Sequence, residues 1–341
     1  MRSPSLASKV FDRGLRPAYR AVLRAIIGLA GRVSLGLVYR IDQFAQDILA
    51  EVRSHPALAV SEVRFAVFGA DFALDIEEAP ANVRREYKEL ELNNSVYEPV
   101  MTRCLTHLLE QTTQPRFMDL GAFMGYYACY VATRLNDTAP VYAVESNPDY
   151  CRSIEHSFEL NELRNAKVFN AVLSDREERV QIDGVTVRYG ANDGTAATTL
   201  DSLCAEHGIA PNIVKMDVHG TEGKILFGMQ DVLRNSVDHL LLELHPYHYI
   251  ERYSAGITRA DMLGLLHDLG FTIAYIAGHR IPNSEKSRPC IQSGGFAYRR
   301  VNGRSAEELL FDRQHEIFLL ATRCDDLVEL LGEPVFDPLL V

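Results

Sequence analysis

The sequence has 341 residues, of which 47% are hydrophobic and 24% charged, a composition typical of a globular protein. A formal net charge of −11 gives it no basic footprint for nucleic acid, so we expect no nucleic-acid partner. Its six cysteines include no CxxC pair, which argues against a zinc ribbon or disulfide framework and for a reducing, cytoplasmic location.

Residues 1–40 differ from the acidic remainder of the chain, because they carry eight basic residues and one acid, Asp12. Apolar residues at Leu23, Ile26, Ile27 and Ala30 have helical spacing, which predicts a basic amphipathic helix. Three roles stay open for it: packing on the body or on another subunit of a homo-oligomer, peripheral contact with the inner face of a membrane, or a cleaved transit peptide. No apolar run reaches the roughly 20 residues that a membrane-spanning helix needs.

The next elements in chain order are a helix at 41–53, a strand at 63–68, an acidic polar stretch to Asn94 and a helix at 97–110. From residue 116 onward strands and helices alternate. The predicted strands are 116–120, 141–144, 167–173, 213–216, 240–244 and 271–277. The predicted helices are 124–135, 149–161, 200–207, 222–233 and 259–269. A hairpin is expected at 180–189, and strands at 291–300 and 315–322 are expected to close one edge of the sheet. This alternation with apolar strands predicts an α/β fold with a doubly wound, mostly parallel sheet.

The segment 117–127 reads FMDLGAFMGYY and places a strand-end acid, Asp119, before a loop that opens a helix. Gly121 and Gly125 in that loop let a ligand lie against the backbone. Ligands in open α/β sheets bind at the carboxyl ends of strands. An acid at this position suits a ligand with a cationic head, although an ordinary strand–turn–helix would also carry these residues.

Glu145 ends the next strand, where a carboxylate can accept both hydroxyls of an adenosine ribose. The two motifs together leave S-adenosylmethionine (SAM) or a nicotinamide cofactor as the ligand. The loop lacks the three placed glycines of the dinucleotide pattern, which disfavours the nicotinamide cofactor.

Further segments follow in order, and with them the chain resembles the FkbM family of SAM-dependent methyltransferases over about residues 96–280. The matching residues are Asp119-Leu-Gly-Ala122, Gly125-Tyr-Tyr127, Glu145, Asn161, Asn170-Ala171, Thr199-Leu-Asp201, Lys215-Met-Asp-Val218, Gly220, Glu222 and Glu243-Leu-His245. Two positions differ from the family pattern: Phe123 stands where Asn is usual, and His219 where Glu is usual.

The resemblance implies a Rossmann-like class I methyltransferase fold that binds SAM. The implied cofactor-binding residues are Asp119, Gly121, Ala122, Gly125, Tyr126, Glu145, Asn170, Ala171 and Asp217. We expect three regions: an N-terminal basic helix with a small cap at 1–95, the methyltransferase domain at 96–284, and C-terminal strands at 285–341. The resemblance also suggests O-methylation, with a sugar hydroxyl of a glycan, glycolipid or glycosylated natural product as the acceptor.

A sugar hydroxyl is a poor nucleophile at neutral pH, so its proton must be taken by a base or its pKa lowered by a metal ion. His219 or His245 is the expected base, and Asp217 would orient the base or position the methionine end of SAM. Each histidine also fits an inert packing role, and Glu222 fits a helix N-terminus.

We expect no resident metal, since the family resemblance implies none. The weaker alternative is a divalent cation such as Mg²⁺ or Mn²⁺ held by Asp217, Glu243 and His245. Two alternatives to a methyltransferase stay open: a nicotinamide-dependent oxidoreductase, and a catalytically silent binding module on the same fold.

Overall fold

A computed structural model describes residues 61–183, 186–189, 194–254, 256–277, 295–302, 306 and 316–335. The predicted basic helix in residues 1–40, its membrane contact and the helix at 41–53 lie outside the described residues. Within these ranges we find no helix with the length and apolar character needed to cross a lipid bilayer.

The structure forms strands and helices close to the predicted positions. The strands are β1 (Glu62–Val67), β2 (Ala70–Asp75), β3 (Phe117–Leu120), β4 (Val141–Glu145), β5 (Ala166–Asn170), β6 (Val172–Leu173), β7 (Glu178–Asp183), β8 (Thr186–Tyr189), β9 (Thr195–Thr198), β10 (Ile213–Met216), β11 (His239–Leu244), β12 (Thr272–Ile276), β13 (Tyr298–Arg300) and β14 (Ile317–Thr322). The helices are α1 (Ala81–Leu92), α2 (Pro99–Gln111), α3 (Tyr126–Leu135), α4 (Pro148–Leu160), α5 (Leu200–His207), α6 (Glu222–Phe227), α7 (Gln230–Asn235), α8 (Tyr247–Tyr253), α9 (Arg259–Asp268) and α10 (Leu327–Leu331).

The central sheet has the strand order β5-β4-β3-β10-β11-β14-β12-β13. Strands β5, β4, β3, β10 and β11 are parallel, and β14 runs antiparallel to both of its neighbours. The doubly wound, mostly parallel, Rossmann-like sheet predicted from the sequence is confirmed. The chain order reverses between β3 and β10, and that switch point is where such sheets bind ligands.

The interior strands β3, β10, β11 and β14 are buried on both faces of the sheet, which explains their nearly continuous apolar sequences. In β10, Ile213 belongs to the apolar core that includes α2, α3 and α4, whereas Val214 and Met216 belong to the core on the α5, α6 and α9 side. Successive side chains of a strand point to opposite faces. Lys215 therefore shares the face of Ile213, a polar exception that marks the site described below.

A hairpin of β1 and β2 extends the core beside α3 and α4. Its turn uses Phe68 and Gly69, both with positive φ. The Asn161 side chain, one of the family-matching positions, donates to and accepts from the backbone of Ala73 at 2.7 Å, and Ser157 Oγ accepts from the Asp75 amide at 2.8 Å. Asn161 thus anchors the hairpin to the end of α4.

The stretch before Asn94 contains β2 and α1, which the sequence did not predict. Helix α1 buries only Tyr87, and nearly all its other residues are polar or partly exposed. Its sequence therefore lacks the clear apolar stripe from which an amphipathic helix is predicted. The domain boundary expected at residue 95 stays a prediction.

The two C-terminal strands differ from the expectation that both close one edge of the sheet. Strand β13 lies at the edge, but β14 is inserted between β11 and β12. All six residues of β14 are buried, because its sequence is apolar on both faces, as an interior strand requires.

The helix predicted at 222–233 is broken into α6 and α7. A Cβ on Gly228 would lie 1.9 Å from the carbonyl oxygen of Ser174, so the chain at this point passes too close to its neighbour for any side chain. A further short helix, α8, lies between β11 and α9, where the sequence predicted no helix.

We expect Leu320→Ala in β14 to lower the free energy of unfolding by about 3 kcal/mol, because Leu320 is fully buried. Val328→Ala is the control, since Val328 is exposed and should change stability by less than about 0.5 kcal/mol. Urea denaturation measures both. A cost for Leu320→Ala no larger than the control would place β14 outside the sheet interior.

Candidate functional site

The loop between β3 and α3 lies at the switch point of the sheet. Gly121 and Gly125 have φ values of +74° and +77°, a region that favours glycine. The amides of Gly121 and Ala122 both donate to the Val144 carbonyl of β4, at 3.0 and 3.2 Å. The loop backbone is therefore fixed against the end of the neighbouring strand.

Gly121 also permits a close approach from the other side. A Cβ at this position would lie 2.0 Å from the carbonyl oxygen of Asp217, so the chain after β3 touches the chain after β10 backbone to backbone. A Cβ on Gly125 would lie 3.1 Å from the Ile154 side chain, a tight but less severe contact. Contacts within the protein therefore account for both glycines, and a ligand lying against their backbone stays a prediction.

Glu145 ends β4 at the wall of the same cavity. Its Oε2 accepts a hydrogen bond from the Phe123 amide at 2.9 Å, and its Oε1 accepts one from the Asn147 amide at 2.9 Å. Burial raises the pKa of this carboxyl, against the effect of these hydrogen bonds. Each carboxylate oxygen has two acceptor positions, so the group can still accept bonds from a ligand.

Asn170 and Ala171 follow β5 beside this turn. Asn170 is exposed, and its amide donates to the backbone carbonyls of Glu145 and Ser146 at 3.0 and 3.1 Å. Ala171 lines the cavity. Asn170 therefore holds the β4 turn in place, and direct contact between its side chain and a cofactor stays a prediction.

Lys215 and Asp119 form a buried ion pair across β10 and β3, with Nζ 3.3 Å from Oδ1. Burial raises the pKa of Asp119 to about 6, more than the Lys215 charge lowers it. Burial alone would lower the pKa of Lys215, but the charges of Asp119 and Asp217 raise it overall. Lys215 lines the cavity as a cation, whereas the fully buried Asp119 lies behind it.

Glu98 is a cavity residue to which the sequence gave no role. It precedes α2 with a φ of +42°, and its Oε2 accepts a hydrogen bond from the Tyr127 hydroxyl at 2.7 Å. The Tyr127 ring lies 5.1 Å from Lys215 Nζ, a cation–π contact. An acid before a helix is common, so the sequence carried only a weak signal for Glu98.

These side chains surround one cavity of about 410 Å³, within the usual size range of small-ligand sites. The cavity spans the ends of β4, β3 and β10, from Glu145 through Gly121 to Lys215 and Asp217. The aromatic residues on its wall are Tyr87, Tyr97, Phe123, Tyr126, Tyr127, Tyr150 and Tyr189.

His245 is a buried histidine just beyond β11, with 2% of its side chain exposed. Its Nδ1 lies 2.6 Å from Glu222 Oε1, and its Nε2 lies 3.8 Å from Asp217 Oδ1. Burial lowers the pKa of His245, but the Glu222 hydrogen bond and charge outweigh that effect and raise it to about 9. At neutral pH the imidazole is therefore protonated on both nitrogens and carries a positive charge.

His219 lies next to this group and lines the cavity, with 46% of its side chain exposed. Its ring centroid is 4.8 Å from that of His245, and its Nδ1 is 3.9 Å from Asp217 Oδ1. The backbone at His219 has a φ of +54°, an uncommon value for a residue other than glycine. The three predicted catalytic residues Asp217, His219 and His245 thus lie together.

Two groups of potential metal ligands share His245. One consists of Asp217, His219 and His245, and the other of Glu243, His245 and Glu316; within each group the ligand atoms lie within 4.8 Å of one another. The set expected from the sequence, Asp217, Glu243 and His245, is divided between the two groups. Glu316 was missed, because it comes 71 positions after His245 in the chain and only the β11–β14 pairing brings it close.

Most of the implied cofactor residues line the cavity. These are Gly121, Ala122, Tyr126, Glu145, Ala171 and Asp217. Gly125 shapes the loop behind them, and Asp119 and Asn170 act through their neighbours. Their contacts with a bound cofactor stay predictions.

No protein-family model matches the chain, and no curated protein matches its sequence. Among solved structures, the chain is similar to the methyltransferase FkbM from Methylobacillus flagellatus KT, with 14% identity, 61% of this chain and 43% of that chain covered, and a TM-score of 0.35. It is similar to Aeropyrum pernix fibrillarin in complex with SAM, with 12% identity, coverages of 65% and 74%, and a TM-score of 0.37. It is also similar to a SAM-dependent methyltransferase from Aquifex aeolicus, with 12% identity, coverages of 51% and 83%, and a TM-score of 0.32. The FkbM resemblance stays a prediction, and the activity must be argued from the site itself.

We expect Gly121→Ala to destabilise the protein by at least about 2 kcal/mol, because the added Cβ meets the Asp217 carbonyl and the φ is positive. Gly264→Ala in α9 is the matched control. A Cβ there meets nothing within 4 Å, so the change should raise stability by about 0.5–1 kcal/mol. Equal effects of the two substitutions on thermal unfolding would contradict the close approach at Gly121.

Proposed function

We propose that the protein is a SAM-dependent O-methyltransferase whose acceptor is a hydroxyl, with a sugar of a glycan, glycolipid or glycosylated natural product as the expected class. The observation that carries the proposal is the distribution of charge in the cavity. One end of the cavity has the Glu145 carboxylate. The other end has the Lys215 ammonium and the Glu98 carboxylate. A nucleoside joined to an amino acid has matching groups at its two ends.

The Glu145 end suits the adenosine. Its carboxylate is oriented by two backbone amides and can accept hydrogen bonds from ribose hydroxyls. Phe123 and Tyr150 pack edge to face beside it, with ring centroids 4.9 Å apart, and both line the cavity. Their apolar rings can contact a base. Phe123 replaces the family's usual polar side chain, but its backbone amide still orients Glu145.

The Lys215 end suits the amino acid. The Lys215 ammonium can pair with the carboxylate of the methionine part, and Glu98 can accept from its amino group. Asp119 fixes the position of Lys215, and Tyr127 fixes that of Glu98. Between the two ends, Gly121 lines the cavity with no side chain of its own, so these residues fit SAM.

When bound, SAM supplies a methyl group activated by a sulfonium. Tyr126 and Tyr127 line the cavity, and aromatic rings attract cationic ligands. Lys215 is the only Lys or Arg side chain among the described residues that line the cavity, and it lies at the other end, so a pyrophosphate beside Glu145 would face a carboxylate without a nearby cation. This electrostatic pattern favours SAM over a nicotinamide dinucleotide.

On the acceptor side, the residues that can take a proton are His219 and His245. His245 has a pKa of about 9, so it is already protonated at neutral pH and is a poor base in this state. His219 is more exposed, lines the cavity and is the better candidate base. Asp217, 3.9 Å away, can orient the His219 ring.

Calorimetry with SAM and with its demethylated product tests the proposal, and NAD is the control ligand. We expect both SAM and its product to bind and NAD not to bind. We expect Glu145→Ala to weaken SAM binding by about 10–100-fold, the cost of losing hydrogen bonds to a charged acceptor. Glu159→Ala on the exposed surface of α4 should change nothing.

Failure of the wild-type protein to bind SAM, or binding of NAD in its place, would contradict the proposal. The acceptor class is tested separately with isotope-labelled methyl transfer to a panel of glycans and glycolipids. Label that enters protein or nucleic acid but not sugar would reject the sugar acceptor and leave the cofactor assignment intact.

A further inference from the structure

Four carboxylates surround the imidazole of His245. Glu222 lies 2.6 Å from its Nδ1, while Asp217 and Glu316 lie 3.8 and 4.0 Å from its Nε2. Glu243 completes the group, with a carboxylate oxygen within 4.8 Å of the His245 and Glu316 ligand atoms. Glu222 and Glu243 are fully buried. Buried carboxylates at this density need cations among them, and the His245 ring and Lys215, 3.9 Å from Asp217, supply part of that positive charge.

The strands fix three of these carboxylates on one side of the sheet. Met216 of β10 pairs with Leu242 of β11, so the residues that follow them, Asp217 and Glu243, are neighbours across the two strands. His245 lies two residues after Glu243 and so faces the same side. Leu244 pairs with Ile317 of β14, which brings Glu316 opposite His245. Rigid elements therefore bring these groups together.

The His245 ring is oriented as a metal ligand. Its Nδ1 is engaged by the buried Glu222, which leaves Nε2 directed toward Asp217 and Glu316. Nε2 has no hydrogen-bond partner among the residues that the structure describes, although the side chain is 98% buried. Metal-bound histidines characteristically use one ring nitrogen for the ion and donate the other to a carboxylate.

We propose that His245 Nε2, Glu243 and Glu316, whose ligand atoms lie within 4.8 Å of one another, bind one divalent cation of the Mn²⁺ or Mg²⁺ type, with Glu222 as the residue that positions the imidazole. The ion takes the place of the Nε2 proton of His245, which is released to solvent. One imidazole and two carboxylates suit these hard cations better than they suit a softer metal, which prefers thiolate ligands. Asp217 lines the cofactor cavity and lies 3.8 Å from His245 Nε2, so the cation would lie behind this carboxylate, next to the cavity. A cation there lowers the pKa of an acceptor hydroxyl that binds to it.

The role in hydroxyl activation rests on the proposed function, but binding of the ion does not. We would titrate the EDTA-treated, dialysed full chain with MnCl₂ and follow the free Mn²⁺ signal by electron paramagnetic resonance, without SAM. We expect about one bound equivalent. Glu316→Gln should weaken Mn²⁺ binding by at least about tenfold. Glu316 is chosen because it is partly exposed, so replacing it should not disturb the core as replacing a buried ligand would.

Two further variants complete the test. Glu222 is not a proposed ligand of the ion, but Glu222→Gln should still weaken Mn²⁺ binding by about 10–100-fold. The reason is that a glutamine amide accepts the hydrogen bond from His245 Nδ1 less strongly than a carboxylate does. Asp268→Asn is the matched control: Asp268 lies 3.8 Å from His267 in an exposed histidine–carboxylate pair and should have no effect. Circular dichroism checks that each variant is folded.

No bound Mn²⁺, or equal binding by the wild type and Glu316→Gln, would overturn the proposal. SAM calorimetry on the same EDTA-treated protein separates this result from the proposed function. Binding of SAM without binding of Mn²⁺ would reject the cation alone, and binding of Mn²⁺ without binding of SAM would reject the cofactor alone.

Discussion

The buried ion pair between Asp119 and Lys215 is the interaction on which the rest of the site depends. The two residues are register partners on β3 and β10, the strands that flank the switch point of the sheet. Removing one partner of such a pair costs about 3–5 kcal/mol, because it leaves the other charge buried alone. The pair therefore holds a fixed cation under the crevice in which open α/β sheets bind ligands.

Charge is distributed unevenly around this cation. Toward β4 the cavity ends in the Glu145 carboxylate, held by backbone amides. Toward β11, carboxylates cluster around His245 and raise its pKa. The first region complements a neutral nucleoside with hydroxyl donors, and the second concentrates negative charge where an acceptor would lose a proton. Under the proposed function, cofactor binding and acid–base chemistry lie at the ends of different strands of the same sheet edge.

The sequence predicted the elements that depend on local pattern. The apolar strands, the glycine loop and the strand-end acids follow from short-range rules, and the structure brings Gly121, Glu145 and Asp217 to one cavity as expected. Features that depend on distant pairing were missed. Strand β14 inserts into the sheet interior and carries Glu316 to His245. No spacing in the chain encodes that contact.

Roles were also harder to predict than positions. Asp119 matches a cofactor motif, yet its side chain lies behind Lys215, and the strand pattern alone does not show which of two paired charges faces the cavity. Asn161 matches the family pattern, but here it anchors the β1–β2 hairpin through the backbone of Ala73. Matching residues therefore mark structural as well as chemical requirements of the fold.

A crystal structure of the chain with the demethylated form of SAM tests the central claim most directly. The account predicts the ribose hydroxyls within hydrogen-bond distance of Glu145 and the amino-acid end beside Lys215 and Glu98. A nucleoside bound in the reverse direction, or outside this cavity, would contradict the account.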